Sequence, residues 1–286
     1  MIFLLLALSI VLATTRNIMS KDIADINIGA KEFFLLQAVI FIGGGAFICV
    51  LDFPSESAAD DTIYYALVYG ILLIAAQYCY TFALKSGKVG ICSIVYSLGF
   101  VLPTLSGSLF WGEPINVYNV IGITLIIPMI VICGRRNPQD AESENNRFLI
   151  PLIAAMIASG GLGIMQKVQQ CSKYSTQKNI FLIVAFALAG AISLFLYPFG
   201  QKTVQKLSYK KLGSAAVIGA VFALSNLCNT ILSGKLKTAI FYPMLNICTI
   251  LFSVVSGIIL YKEKWSKKDA TVLLFGAAAI ILISIS

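Results

Sequence analysis

The chain has 286 residues, of which 58% are hydrophobic and only 12% charged, with a net charge of +8 and a mean hydropathy of +0.89. A soluble globular domain carries about 25% charged residues, so this composition leaves too little polar surface for a water-facing globule. It excludes a soluble enzyme and a nucleic-acid-binding module. Histidine is absent, which removes the commonest general base and the commonest metal ligand together. The cysteines (Cys49, Cys79, Cys92, Cys133, Cys171, Cys228, Cys248) form no C-x-x-C pair. They read as small buried hydrophobes, so no disulfide framework, metal site or cofactor is expected.

A membrane-crossing helix needs about 20 mainly apolar residues. Ten candidates follow one another: 1–19, 32–51, 62–84, 88–111, 116–134, 148–168, 179–199, 212–233, 238–261 and 269–286. The first lacks a basic leader and a small-x-small cleavage site and runs into Arg16 and Lys21, so a helix is expected rather than a signal peptide. It carries Ser9, Arg16 and Asn17. The second contains Gly43-Gly44-Gly45, a site for close helix contact, and ends in the acidic turn Asp52 to Asp61. The third carries Gln77, Tyr80 and Thr81. In the fourth, Ser93, Tyr96, Ser97, Thr104 and Ser108 occupy an arc of roughly 120°, with Pro103 inside the span and Glu113 just beyond it. The fifth leads into the most hydrophilic connection, Arg135 to Arg147.

The sixth span repeats the first, with Ser159 and Gln166-Lys167, and adds Gly160, Gly161 and Gly163. After the seventh and the basic loop Lys202 to Lys211, the eighth carries Asn226, Asn229 and Thr230. In the ninth, Tyr242, Asn246, Thr249, Ser253 and Ser256 fall within an arc of roughly 80°, with Pro243 inside the span and Glu263 after it. Pro103 and Pro243 free backbone carbonyls within their spans and permit bending.

Ser9 and Leu12 correspond to Ser159 and Leu162; Cys79 and Thr81 to Cys228 and Thr230; Ser106-Gly107 and Glu113 to Ser256-Gly257 and Glu263. The shift stays near 150 residues. Five helices precede the charged connection and five follow, and a duplicated unit of odd helix number inserts upside down. The expected fold is therefore an all-α polytopic membrane protein of ten transmembrane helices in a 5+5 inverted-topology repeat, an arrangement typical of transporters. Its parts are residues 1–134, the linker 135–147 and residues 148–286.

The thirteen acidic residues all fall in loops or at helix ends. A charge at the bilayer centre costs at least about 2.5–3.5 kcal/mol and is kept for function, so a proton shuttle on an intramembrane carboxylate is not expected. Two readings stand for the uncharged polar stripes. They glue helices together by interhelical hydrogen bonds, or they line a polar pocket from both halves. On the second reading the candidates are Gln77, Tyr80, Tyr96, Ser97, Asn226, Asn229, Tyr242 and Asn246. Arg16 and Lys167 either snorkel to the interface or attract an anionic group of a substrate.

One stretch resembles a known pattern: Tyr80, Ala83 and Leu84, then LPTLSGSLFWGEP (Leu102 to Pro114), then an apolar helix containing Gly122. It is similar to the EamA domain of the drug/metabolite transporter superfamily, with a weaker counterpart at Ser256 to Lys264. The resemblance implies a ten-helix carrier of small organic solutes whose first, third, fourth, sixth, eighth and ninth helices line the cavity. It makes Glu113 and Glu263, with Pro103 and Pro243, gating or interfacial residues. Lys262 stands where the fourth helix has Gly112, and the intramembrane Glu of the small multidrug-export relatives is missing.

Loops after odd-numbered spans hold 16 of the 21 Lys and Arg, and loops after even-numbered spans hold five. The positive-inside rule then places both termini outside, whereas the resemblance implies cytoplasmic termini. The function expected is a secondary carrier of small metabolites or drugs, an exporter or exchanger working by alternating access between the two halves, and not an enzyme. An accessory or flippase-like protein for lipid-linked sugars is the alternative. The partners expected are a small-molecule substrate and the bilayer, with no nucleic acid; the chain is expected to act as a monomer or homodimer in a bacterial cytoplasmic membrane.

Overall fold

In a computed structural model of the chain, residues 2–24, 29–54, 56–85, 87–112, 117–134, 149–200, 209–262 and 267–284 are described. Glu113, Glu263 and the linker Arg135 to Arg147 lie outside them. The described residues are helical wherever the apolar runs predict it: α1 (Ile2–Ala24), α2 (Ala30–Leu51), α3 (Asp60–Leu84), α4 (Val89–Ser97), α5 (Val101–Trp111), α6 (Val117–Gly134), α7 (Leu149–Cys171), α8 (Lys178–Leu196), α9 (Tyr209–Lys235), α10 (Thr238–Tyr261) and α11 (Lys267–Ser284). In lipid each backbone N–H and C=O needs a partner within the chain, and a helix supplies nearly all of them locally. Among the described residues, eight helical segments are long and apolar enough to cross a membrane, and α11 adds a shorter apolar stretch, Ala270–Ala279. The protein is an all-α, multi-pass membrane protein.

The fourth expected span departs from a single regular helix. A 3-10 turn at Leu98–Phe100 separates α4 from α5. Pro103 has no N–H to return to the Gly99 carbonyl four residues earlier, so the α-helical ladder is interrupted there. Pro243 sits in the second turn of α10, which runs on unbroken.

The chain divides into two compact units that cut across the sequence halves. One comprises residues 1–19, 26–74 and 165–234; the other, residues 20–25, 75–164 and 235–286. In the first, α2 packs along α8 and approaches the α9 backbone. A Cβ on Gly219 would lie 2.2 Å from the Ile40 carbonyl oxygen, so only glycine allows that crossing. Phe41, Phe186 and Phe222 close the core with ring centroids 5.6 to 6.3 Å apart.

In the second unit α6 packs on α11 and α4 on α10. A Cβ on Gly160 would stand 2.4 Å from the Gly99 carbonyl oxygen, which brings α7 against the 3-10 turn. Of the glycines expected to mark close contacts, Gly44 in α2 and Gly160 and Gly163 in α7 sit at such approaches, whereas a Cβ on Gly43 would meet only an ordinary contact, 3.6 Å from the Ala216 Cα. α5 and α10 end alike, on left-handed residues: Gly112 at φ 65° and Lys262 at φ 51°.

Candidate functional site

The polar side chains of the first unit gather around α9. The Tyr69 hydroxyl, fully buried in α3, donates to Asn226 Oδ1 (2.5 Å) and accepts from Gln166 Nε2 (2.9 Å). The amide orientation follows from chemistry. Asn226 Nδ2 donates to the Phe222 carbonyl at 2.8 Å, which leaves Oδ1 as the acceptor. The Tyr69 ring lies 4.8 Å from that of Phe181. Towards one end of the same helix Ser9 donates to Asn229 Oδ1. Towards the other the Arg16 guanidinium lies over the Phe222 ring, 4.5 Å from its centroid. Lys167 Nζ donates to the Ser233 carbonyl at 3.2 Å. Arg16 is 7% exposed and Lys167 8%, so neither side chain snorkels outward.

The second unit holds the other candidates. Gln77 Nε2 donates to Thr81 at 3.4 Å. The Tyr80 and Ser93 hydroxyls are 3.1 Å apart, and the Tyr80 and Tyr96 rings are 4.6 Å apart by centroid. Tyr242 donates its hydroxyl to the Gly163 carbonyl at 2.8 Å, and Asn246 donates to the Tyr242 carbonyl at 2.7 Å. Ser97 is buried in α4, and Pro103 is buried against Gly163. The backbone of Pro243 belongs to α10, but its side chain lies outside the described residues.

The structure thus sorts the candidates into two clusters. Arg16, Lys167, Asn226 and Asn229 belong to the first unit, and Gln77, Tyr80, Tyr96, Ser97, Tyr242 and Asn246 to the second. Several of the hydroxyls in the helical stripes use their proton within their own helix, which leaves the oxygen's lone pairs to accept. Thr104, Thr230 and Thr249 donate to carbonyls four residues back in their own helices. Interhelical bonds among the described residues include those of amides, phenols and the Lys167 ammonium and of a few hydroxyls, Ser159 to the Tyr96 carbonyl at 3.0 Å among them.

Two residues escape the sequence argument. Tyr69 joins Gln166 to Asn226, and Gln37 is fully buried in α2 with neither amide atom hydrogen-bonded. Gln37 had a readable signal, being the one amide side chain of its apolar span. Among the described residues no Asp or Glu belongs to the buried polar set. Nor does a group of three or more metal-ligating Cys, Asp or Glu come together there. The described cysteines are free thiols.

Membrane-spanning helices with amides, phenols and two cations buried among them make up a multi-pass membrane protein. Residues 1–134 are a domain of the EamA-like transporter family. An uncharacterized protein of Haemophilus influenzae is 25% identical over 245 residues, spanning 82% of this chain and 79% of its own length. A protein of known crystal structure shares the fold with a TM-score of 0.62 at 17% identity, over 99% of this chain and 96% of its own.

Proposed function

We propose that this transporter is a secondary carrier of a small polar metabolite or drug, working by alternating access as an exporter or exchanger. The observation that carries this reading is the buried chain Gln166–Tyr69–Asn226, with Arg16 of α1 lying over Phe222 one turn away on α9. Such groups are costly in an apolar span and are kept where a polar solute passes. Arg16 and Lys167 are the residues we set against an anionic group of the substrate, with Asn226 and Asn229 reading its polar edge. Gln77, Tyr80, Tyr96, Ser97, Tyr242 and Asn246 form a second substrate-facing set, and Glu113 and Glu263 flank the helix ends as gate supports with Pro103 and Pro243. We infer a bacterial cytoplasmic membrane as the site of action and, from the Lys and Arg bias, termini outside.

The test is reconstitution into liposomes challenged with amino acids, sugars, nucleosides, organic acids and cationic drugs under imposed ion gradients. Saturable counterflow of a solute bearing an anionic group, weakened in Arg16→Met, is the expected result. Flux indistinguishable from protein-free liposomes across the panel rejects the carrier reading.

A further inference from the structure

Each half of the sequence carries a lysine near the end of its first span and an S-G-K triplet at the end of its third: Lys21 with Ser86-Gly87-Lys88, and Lys167 with Ser233-Gly234-Lys235. The structure brings each lysine onto the carbonyl end of that third span. Lys21 Nζ donates to the Leu84 carbonyl at 2.7 Å and reaches the Gly87 carbonyl at 3.4 Å. Lys167 Nζ donates to the Ser233 carbonyl at 3.2 Å. Lys21 and Gly87 are 66 residues apart, as are Lys167 and Ser233. The last four carbonyls of a helix have no N–H partner within it. At the end of α3 the turn itself serves two of them: Phe82 accepts from the Lys85 N–H (3.3 Å) and Ala83 from the Gly87 N–H (2.9 Å). The Leu84 carbonyl is served by the Lys21 ammonium. At the end of α9, Gly234 lies against Gln170 of α7, where a Cβ would come within 3.0 Å of the Gln170 Cβ, so the glycine lets the two helix ends lie close. Each lysine shares one compact unit with its acceptors, Lys21 in the second and Lys167 in the first.

We propose that Lys21 and Lys167 are matched positioning residues of the transport cycle. Each clasps the end of the third span of its half to the end of the first, and so fixes the turn that launches the next span. The spans launched are α4, with Tyr96 and Ser97, and α10, with Tyr242 and Asn246. An ammonium at a helix C-terminus meets the negative end of the macrodipole, and its hydrogen bonds to the last carbonyls are charge-assisted. A snorkelling lysine would end in water. Lys167 is instead buried and Lys21 half-buried, with backbone carbonyls in the place of solvent. The effect on transport rests on the carrier reading given above, whereas the clasp itself does not. Lys21 has no part in the substrate contacts set out there, so it carries the test.

The test compares full-length Lys21→Met and Lys21→Arg with the parent, in liposomes for counterflow of whichever panel solute the parent carries and in detergent for amide hydrogen exchange read by mass spectrometry. Lys21→Met lowers the maximal rate per folded molecule about tenfold, on the scale of a lost charge-assisted hydrogen bond, and leaves KM within about twofold. Lys21→Arg keeps a cation with its donors and recovers most of the rate. Amides of residues 80–85 exchange about tenfold faster in Lys21→Met while those of residues 230–235 do not change, and Lys167→Met reverses the pattern. Unchanged exchange at the end of α3 in Lys21→Met overturns the clasp. A raised KM at an unchanged maximal rate, or an arginine variant as slow as the methionine one, overturns the positioning role. If the parent carries no solute of the panel, the carrier reading fails and the exchange result alone decides the clasp.

Discussion

Tyr69→Phe removes one oxygen from the centre of the first unit and leaves the ring against Phe181. The packing is therefore conserved, and the loss falls on two hydrogen bonds. Asn226 Oδ1 loses its donor and Gln166 Nε2 its acceptor, in residues 6% and 3% exposed. A buried polar group left unsatisfied costs about 1–3 kcal/mol, whereas interhelical hydrogen bonds in membranes average about 0.6 and reach about 1.7 kcal/mol, because the unfolded chain in lipid also finds partners. Two groups stranded together put the expected destabilisation at roughly 1–3 kcal/mol. Denaturant unfolding of the purified protein in lipid–detergent micelles measures it. A cycle with Asn226→Leu isolates the Tyr69–Asn226 coupling, which residues in direct contact show at about 0.5 kcal/mol or more. A Tyr69→Phe protein within about 0.5 kcal/mol of the parent, with an additive cycle, refutes the claim that this network is a structural and functional centre.

Gln37→Leu keeps the side-chain bulk and removes two unsatisfied buried amide atoms, so it raises stability by about 1 kcal/mol or more; unfolding in detergent reads this, and a destabilised variant contradicts it. Lys262→Gly relieves a left-handed residue that costs a side-chain-bearing position about 1–2 kcal/mol, against about 0.5–1 kcal/mol of extra chain entropy. The melting temperature therefore stays or rises, while Gly112→Ala at the matching helix end lowers it. Arg16→Met and Lys167→Met reduce counterflow of an anionic solute at least about tenfold, on the scale of a lost charge-assisted hydrogen bond; unchanged KM and rate place both cations outside the substrate path. Asn246→Ala and Gln77→Ala lower transport per folded molecule, and a fall confined to the amount of folded protein assigns them to packing instead.

Helix existence and much of the polar placement were legible because both depend on local period. Apolar runs of spanning length mark α1 to α11, and the glycines of α2 and α7 mark close crossings. The break at Leu98–Phe100 was half legible, since Pro103 announces a missing N–H but not whether its helix bends or interrupts. The fate of Arg16 was not legible. Whether a long cation near a helix end snorkels or turns inward depends on what stands beside it, and Phe222 comes from the other half of the sequence. Tyr69 was passed over because a tyrosine in an apolar helix looks like core until a second helix presents an amide to its hydroxyl. The hydroxyl stripes are in part satisfied locally. Threonine in a helix can donate to the carbonyl one turn back, so Thr104, Thr230 and Thr249 share a polar face with their protons already used and only their lone pairs open to a partner.

The two halves of the sequence and the compact units in space are different divisions, and the difference follows from where apolar surface is covered. Phe41 belongs to the first half of the chain, yet the rings that cover it, Phe186 and Phe222, belong to the second. Gly44 likewise faces Phe186 and the Gly219 carbonyl. Helix α3 places Tyr69 in one unit and Gln77 and Tyr80 in the other, and α7 does the same with Lys167 and Ser159. A five-helix half taken alone would expose glycine-lined faces and strand buried amides, for which lipid offers no hydrogen bond. The two halves of the sequence are therefore held together by packing within each unit.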